Sequence, residues 1–211
     1  MDSTAHESVR DRYGAAQKPA IPRHSNGLEQ FFFAIRDTAG LNILDLSGAS
    51  QENINFITNL GHRIYTENFL HIVDSTYQAE DSLSERALQD LGDRVLQQCL
   101  DFPDHYFDGA LVWDSLQHLK PPVLQIVVGG LFRVLRPNAY LFALFSAQER
   151  VQEMDACSYR IADSQTLLLA STGSRPVQFF STRMLEKIFQ QYQTVKFFLT
   201  RDHLREVLVK R

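Results

Sequence analysis

Residues 41–67 read LNILDLSGASQENINFITNLGHRIYTE. The first six, Leu41 to Leu46, are apolar apart from Asn42 and Asp45, the composition of a strand covered on both faces. A turn of Ser47, Gly48, Ala49 and Ser50 follows, and Ser50 can cap a helix over 51–60 that carries Phe56, Ile57 and Leu60 on its inner side. Gly61 stops that helix, and a second strand ends at Glu67. Strand, turn, helix and strand in this order predict the opening unit of a Rossmann-like sheet, where ligands sit at the carboxyl ends of the strands. The turn holds one glycine where nucleotide-binding versions hold two or three. The pattern therefore argues for the fold and leaves the activity open.

The flanking sequence extends the same sheet. Upstream, Leu28, Phe31, Phe32 and Ile35 recur at helical spacing between Gly27 and Thr38. Residues 1–26 are polar and broken by Pro19 and Pro22, which predicts a flexible amino-terminal arm before a domain spanning 27–211. Downstream, a short extended piece over 69–73 and a helix over 83–100 are expected; a third strand is hard to locate, with Gln98 or Asp101 as its nearest polar stand-ins. The next clear unit is a buried strand over 107–113, a helix opening at Pro121 or Pro122 and stopping at Pro137, and a strand over 140–145. Residues 147–158 read as polar and irregular, 159–171 as an extended segment or hairpin, and Gly173 with Pro176 as a loop. A helix over 182–192 and strands over 194–200 and 204–210 close the chain, and their short link makes the two strands antiparallel. The expected architecture is an α/β, Rossmann-like three-layer sandwich. Its sheet is mostly parallel, of the seven-stranded type, with an antiparallel pair of strands at the carboxyl terminus.

Composition narrows the partners. At 211 residues one domain is expected, and a net charge of −4 without a basic, aromatic-interleaved patch argues against nucleic acid. No apolar run reaches the length of a membrane helix, so no membrane partner is expected. Cys99 and Cys157 lack metal-ligand spacing, so no metal is expected, and the default compartment is the reducing cytoplasm.

Four segments carry a family resemblance. They are ILDLSGAS after the first strand, Glu67 at the end of the second, FPDHYFDGALVWDSLQHL around the fourth, and LFRVLRPNAYLFALF for the following helix and strand. Together they resemble the class I S-adenosylmethionine-dependent methyltransferases. The resemblance implies a transferase with S-adenosylmethionine as cofactor and either a small-molecule methyl acceptor or a protein partner. It implies that Asp45, Ser47 and Gly48 form the cofactor turn, Asp45 orienting it or binding the cofactor's amino group. Glu67, 22 positions after Asp45, would accept from the ribose hydroxyls or stand as an ordinary strand-end acid. Trp113 and Asp114 would line the methionine side, with Trp113 equally readable as core. His118 would contact the acceptor or face solvent.

The sequence also departs from the family's pattern. Ser47, Ala49 and Gln51 stand where the family places glycines, and Gly48 is displaced by one position. Each added Cβ takes space from the methionine moiety, Gln51 is long enough to fill the pocket, and Glu52 would repel a cofactor carboxylate. Two readings follow: a methyltransferase with an atypical turn, or a catalytically inactive, methyltransferase-like pseudoenzyme acting as a binding or regulatory subunit. A nicotinamide-dependent oxidoreductase ranks third, because its pyrophosphate turn is matched less well.

Overall fold

A computed structural model of the chain describes residues 20–76, 84–200 and 202–211. Along the sequence lie β1 (Ile21–His24), α1 (Asn26–Ile35), β2 (Asn42–Asp45), α2 (Gln51–Asn59), β3 (Arg63–Thr66) and α3 (Phe69–Thr76). Then come α4 (Glu85–Cys99), β4 (Phe107–Trp113), a single 3-10 turn (Ser115–His118), α5 (Pro121–Val134) and β5 (Leu135–Ser146). The chain closes with β6 (Glu153–Asp163), β7 (Thr166–Pro176), α6 (Thr182–Ile188), β8 (Thr194–Leu199) and β9 (Leu204–Lys210).

The helices begin where the sequence offers a cap. Ser25, Ser50, Ser84 and Ser181 each accept a hydrogen bond from the amide three residues on, satisfying a donor the helix itself cannot. Pro121 takes the first turn of α5, where its missing N–H costs nothing.

The main sheet runs β3-β2-β4-β5-β9-β8, parallel from β3 to β5 and antiparallel across β9 and β8. Among the described residues it has six strands, and no strand lies between β3 and β4 in the chain. Successive residues of a strand face opposite layers. Leu44, Ala110, Val112, Leu141 and Phe145 pack with α3, α4, α5 and α6, while Ile43, Leu111, Trp113, Phe142 and Leu144 pack with α1, α2 and the β6–β7 hairpin. Those two buried layers and the sheet between them make the three-layer sandwich.

Several expectations change in detail. Residues 69–73 are helical, not extended: Phe69 and Val73, four apart, turn one face of α3 into the core, and the Asn68 side chain accepts from the His71 amide at its start. The strand expected from Tyr140 begins at Leu135, carried past Pro137 by Asn138 at φ +69 and a register shift against β4. Strand β6 starts at Glu153, inside the stretch read as irregular, and Gly173 and Pro176 lie within β7. The last helix stops at Ile188, short of Tyr192. Of the expected arm, residues 1–19 lie outside the described residues, as do 77–83; Ile21–His24 form β1.

Strand β1 pairs with β7 and β7 with β6, giving a second, antiparallel sheet of three strands. Arg23 ties it to the main sheet, reaching Asp202 at 2.6 Å and the fully buried Glu206 at 2.9 Å. Glu206 also accepts from the Gly27 amide at 2.7 Å. A Cβ on Gly27 would lie 2.7 Å from the Phe142 ring, so only glycine lets α1 start this close to β5.

Candidate ligand site at the carboxyl edge of the sheet

The ends of β2, β3 and β4 converge on Asp45. Its carboxylate is fully buried and accepts four hydrogen bonds: at Oδ1 from the Ser47 amide (2.9 Å), the Ser47 hydroxyl (2.7 Å) and Trp113 Nε1 (2.7 Å), and at Oδ2 from Asn53 Nδ2 (2.9 Å). Such a set satisfies a buried carboxylate from the protein's own donors. Trp113 is fully buried, with its backbone at φ +56, a left-handed conformation that a bulky residue rarely adopts. Its indole stacks on Tyr159 of β6, ring centroids 5.2 Å apart and planes 9° apart.

Asn53 explains how the small sheet is held over this edge. Its amide donates to Asp45 and to the Tyr159 carbonyl (3.1 Å), and its oxygen accepts from the Ile161 amide (2.8 Å). One fully buried side chain thus joins the turn after β2 to the backbone of β6. Glu52 adds an exposed pair with Arg160 at 3.1 Å, so it faces the hairpin.

The turn itself is closed from the other side. The Gly48 amide donates to the Glu67 carbonyl (3.0 Å), Ser47 pairs with Asn68, and the Gly48 α-carbon faces the Asn68 side chain, 3.5 Å from where a Cβ would stand. At φ +86 this is the one turn position that needs glycine. Two expectations fail here. Ala49 and Gln51 do not fill the pocket: both are exposed, and Gln51 lies along α2 donating to Asn55 at 2.7 Å, because the first turn of the helix points it outward. Trp113, Tyr159 and Asn53 are the side chains packed around the Asp45 carboxylate.

Glu67 stands apart from this saturation. It is half-buried, burial holds its carboxyl above the ordinary range, and among the described residues its carboxylate has no hydrogen-bond partner. Asp114 and His118 form a second pair in the 3-10 turn, His118 Nε2 lying 3.6 Å from Asp114 Oδ2, both side chains almost entirely buried. His118 Nδ1 sits 2.7 Å from the Pro176 carbonyl, and since a carbonyl only accepts, that nitrogen carries the proton. The His118 side chain is thus turned to β7 and not to solvent, and its Nε2 is buried without a hydrogen-bond partner among the described residues. Burial, and next the nearby Asp114 carboxylate, hold the Tyr159 phenol well above its ordinary value.

Asp45, Ser47, Gly48, Glu67, Trp113 and Asp114 all reach this edge. Asn53 and Tyr159 complete it and went unread in the sequence. Asn53 left a trace, a polar residue four before Ile57 on the apolar face of α2; Tyr159 left none. Among the described residues no group of three or more His, Cys, Asp or Glu side chains could hold a metal ion, and no helix is long and apolar enough to cross a membrane.

No protein-family model matches the sequence, and no curated protein matches it. Solved structures do. The 1,6-didemethyltoxoflavin-N1-methyltransferase of Burkholderia thailandensis, crystallised with 1,6-didemethyltoxoflavin and S-adenosylhomocysteine, matches at 14% identity over 88% of this chain and 76% of its own, with a TM-score of 0.50. A SAM-dependent methyltransferase from Archaeoglobus fulgidus matches at 11% identity over 87% and 91%, with a TM-score of 0.49. One from Aquifex aeolicus matches at 13% over 88% and 89%, with a TM-score of 0.47. At such identities the likeness is one of fold. Sheet order, the antiparallel closing strands and the likeness to the Burkholderia thailandensis enzyme together give the chain the fold of the class I S-adenosylmethionine-dependent methyltransferases.

Proposed function

We propose that this chain is a non-catalytic, methyltransferase-fold binding or regulatory subunit, with the place of the cofactor's methionine end filled by its own side chains. The observation that carries the reading is Asp45, whose two oxygens receive four hydrogen bonds from the protein while Trp113 and Tyr159 stack beside it. S-adenosylmethionine does not fit that end as the side chains stand. Asp45 already receives four hydrogen bonds from the protein, three of them at Oδ1, and Trp113 and Tyr159 lie buried against each other beside it, so a methionine moiety would enter only if these side chains moved. No transfer step is therefore assigned to any residue of this chain.

Titration calorimetry with S-adenosylmethionine and S-adenosylhomocysteine tests this. The reading expects no saturable heat from folded protein; binding at micromolar strength, about −8 kcal/mol, would overturn it.

One observation favours the second reading, an S-adenosylmethionine-dependent methyltransferase acting on a small molecule. Glu67 is a half-buried carboxylate without a partner among the described residues, at the end of β3, and a carboxylate accepts from vicinal hydroxyls. Under that reading Glu67→Ala weakens cofactor binding; unchanged affinity would remove Glu67 from the site.

A further inference from the structure

We infer that Tyr159 is an internal plug, an autoinhibitory contact that keeps a ligand site at the ends of β2, β3 and β4 shut until residues 157–161 of β6 move. The inference rests on the reading above that the closed chain does not bind cofactor, and it names what closes it.

The two ends of the edge are unlike. Around Asp45 four protein donors already converge on the carboxylate. At Glu67 a half-buried carboxylate has no partner among the described residues and is free to accept from hydroxyl donors on a ligand. A side chain left in this condition beside a saturated one marks a site half occupied by the protein.

Trp113 supplies the moving part. A left-handed backbone at a bulky residue persists only where its surroundings over-determine it, and here the hydrogen bond to Asp45, the stack on Tyr159, an edge contact with Phe142 and pairing with Ala143 of β5 do so. Removing the stack takes away the one contact that covers the face of the indole and leaves the others against the strain. Trp113 can then return to an extended backbone and carry its indole away from Asp45.

The segment bearing Tyr159 is built to shift locally. The pairing of β6 with β7 is regular from Cys157 to Ile161 and changes register on either side, between Ala156 and Cys157 and between Ile161 and Asp163. The register changes at both ends set these five residues off from the rest of the ladder. Asn53, at the Tyr159 carbonyl and the Ile161 amide, the burial of Tyr159 and Ile161 in the core and the exposed Arg160–Glu52 pair hold them against the main sheet.

The test compares wild type, Tyr159→Ala and Tyr159→Phe by calorimetric titration with S-adenosylhomocysteine. Emission from Trp113, the chain's only tryptophan, serves as the second readout. Wild type and Tyr159→Phe, which keeps the ring, give no saturation at millimolar ligand. Tyr159→Ala binds at least ~100-fold tighter with a change in Trp113 emission, and adding Glu67→Gln abolishes the gain. A folded Tyr159→Ala that still does not bind overturns the plug and leaves the non-catalytic reading standing. Wild type binding as tightly as Tyr159→Ala overturns both. If Tyr159→Ala fails to fold, amide exchange of wild type decides. The plug requires the Ile161 amide to exchange through a local opening, faster than the amides of β4 and β5; exchange only at the rate of global unfolding would refute it.

Discussion

Trp113 donates its indole N–H to Asp45 at 2.7 Å while lying flat against Tyr159, so the end of β4 closes over the end of β2 and the hairpin closes over both. In the class I fold this edge is where a ligand is expected. Here it is packed like a core, and most consequences of the structure follow from that.

Asn53 holds the closure together. Replacing it with alanine leaves the Ile161 amide, the Tyr159 carbonyl and one Asp45 oxygen buried without their partner. Each such group costs about 1–3 kcal/mol, less than additively because they share one side chain. Urea unfolding of Asn53→Ala should show a loss of roughly 2–4 kcal/mol. A loss below about 0.5 kcal/mol, the scale of an ordinary surface change, would mean that the hairpin is not anchored here.

The small sheet is anchored a second time through Arg23 and Glu206. Glu206→Ala removes one of the two carboxylates on a guanidinium that is 9% exposed, leaving it Asp202, and leaves the Gly27 amide unpaired. Breaking a buried pair from one side costs about 3–5 kcal/mol, and the Asp202 pair that remains should keep the loss below that range. Glu206→Gln, which still accepts from Gly27, should lose less. Equal losses in the two variants would show that the charge contributes nothing.

His62 predicts an acid-sensitive stability. It is 5% exposed, neither ring nitrogen has a hydrogen-bond partner among the described residues, and burial lowers its pKa from the ordinary 6.5, opposed by Asp108. The unfolded chain therefore takes up a proton below pH 6.5 while the folded chain resists it. Stability falls as pH drops from 6.5 toward the folded value and is unaffected by this group above 6.5. Denaturation midpoints of wild type and His62→Phe should diverge below that pH; parallel curves would rule His62 out.

Glu67 has the opposite sign. Its folded pKa is raised by burial above the ordinary 4.5, so the folded chain holds the proton longer and stability declines as pH rises from 4.5 through the folded value. At neutral pH Glu67→Gln should therefore unfold at higher denaturant than wild type. A destabilised variant would mean that the carboxylate has a structural partner.

Contacts close in sequence were legible. The Ser50 cap, Pro121 and the two parallel crossovers follow from local periodicity and turn chemistry, and Asp45, Ser47, Trp113 and Glu67 were placed together because strand ends converge in a parallel sheet. Distant pairings were not. Strand β1 looked like a polar tail because its partner, β7, lies more than 140 residues on. The closure of the site rests on Asn53 and the Tyr159 carbonyl, 106 residues apart, which no local pattern encodes. Ala49 and Gln51 were blamed for the crowding because they occupy glycine positions in the resemblance. Helical geometry turns Gln51 toward Asn55 and out to solvent.

The central claim, that Trp113 is sealed beneath Tyr159, can be read in unmodified protein from the emission of the chain's only tryptophan. With the indole fully buried, a blue-shifted maximum and almost no quenching by acrylamide are expected until denaturant unfolds the chain. Red-shifted emission, or efficient quenching under native conditions, would mean that the edge stands open in solution and would contradict the account.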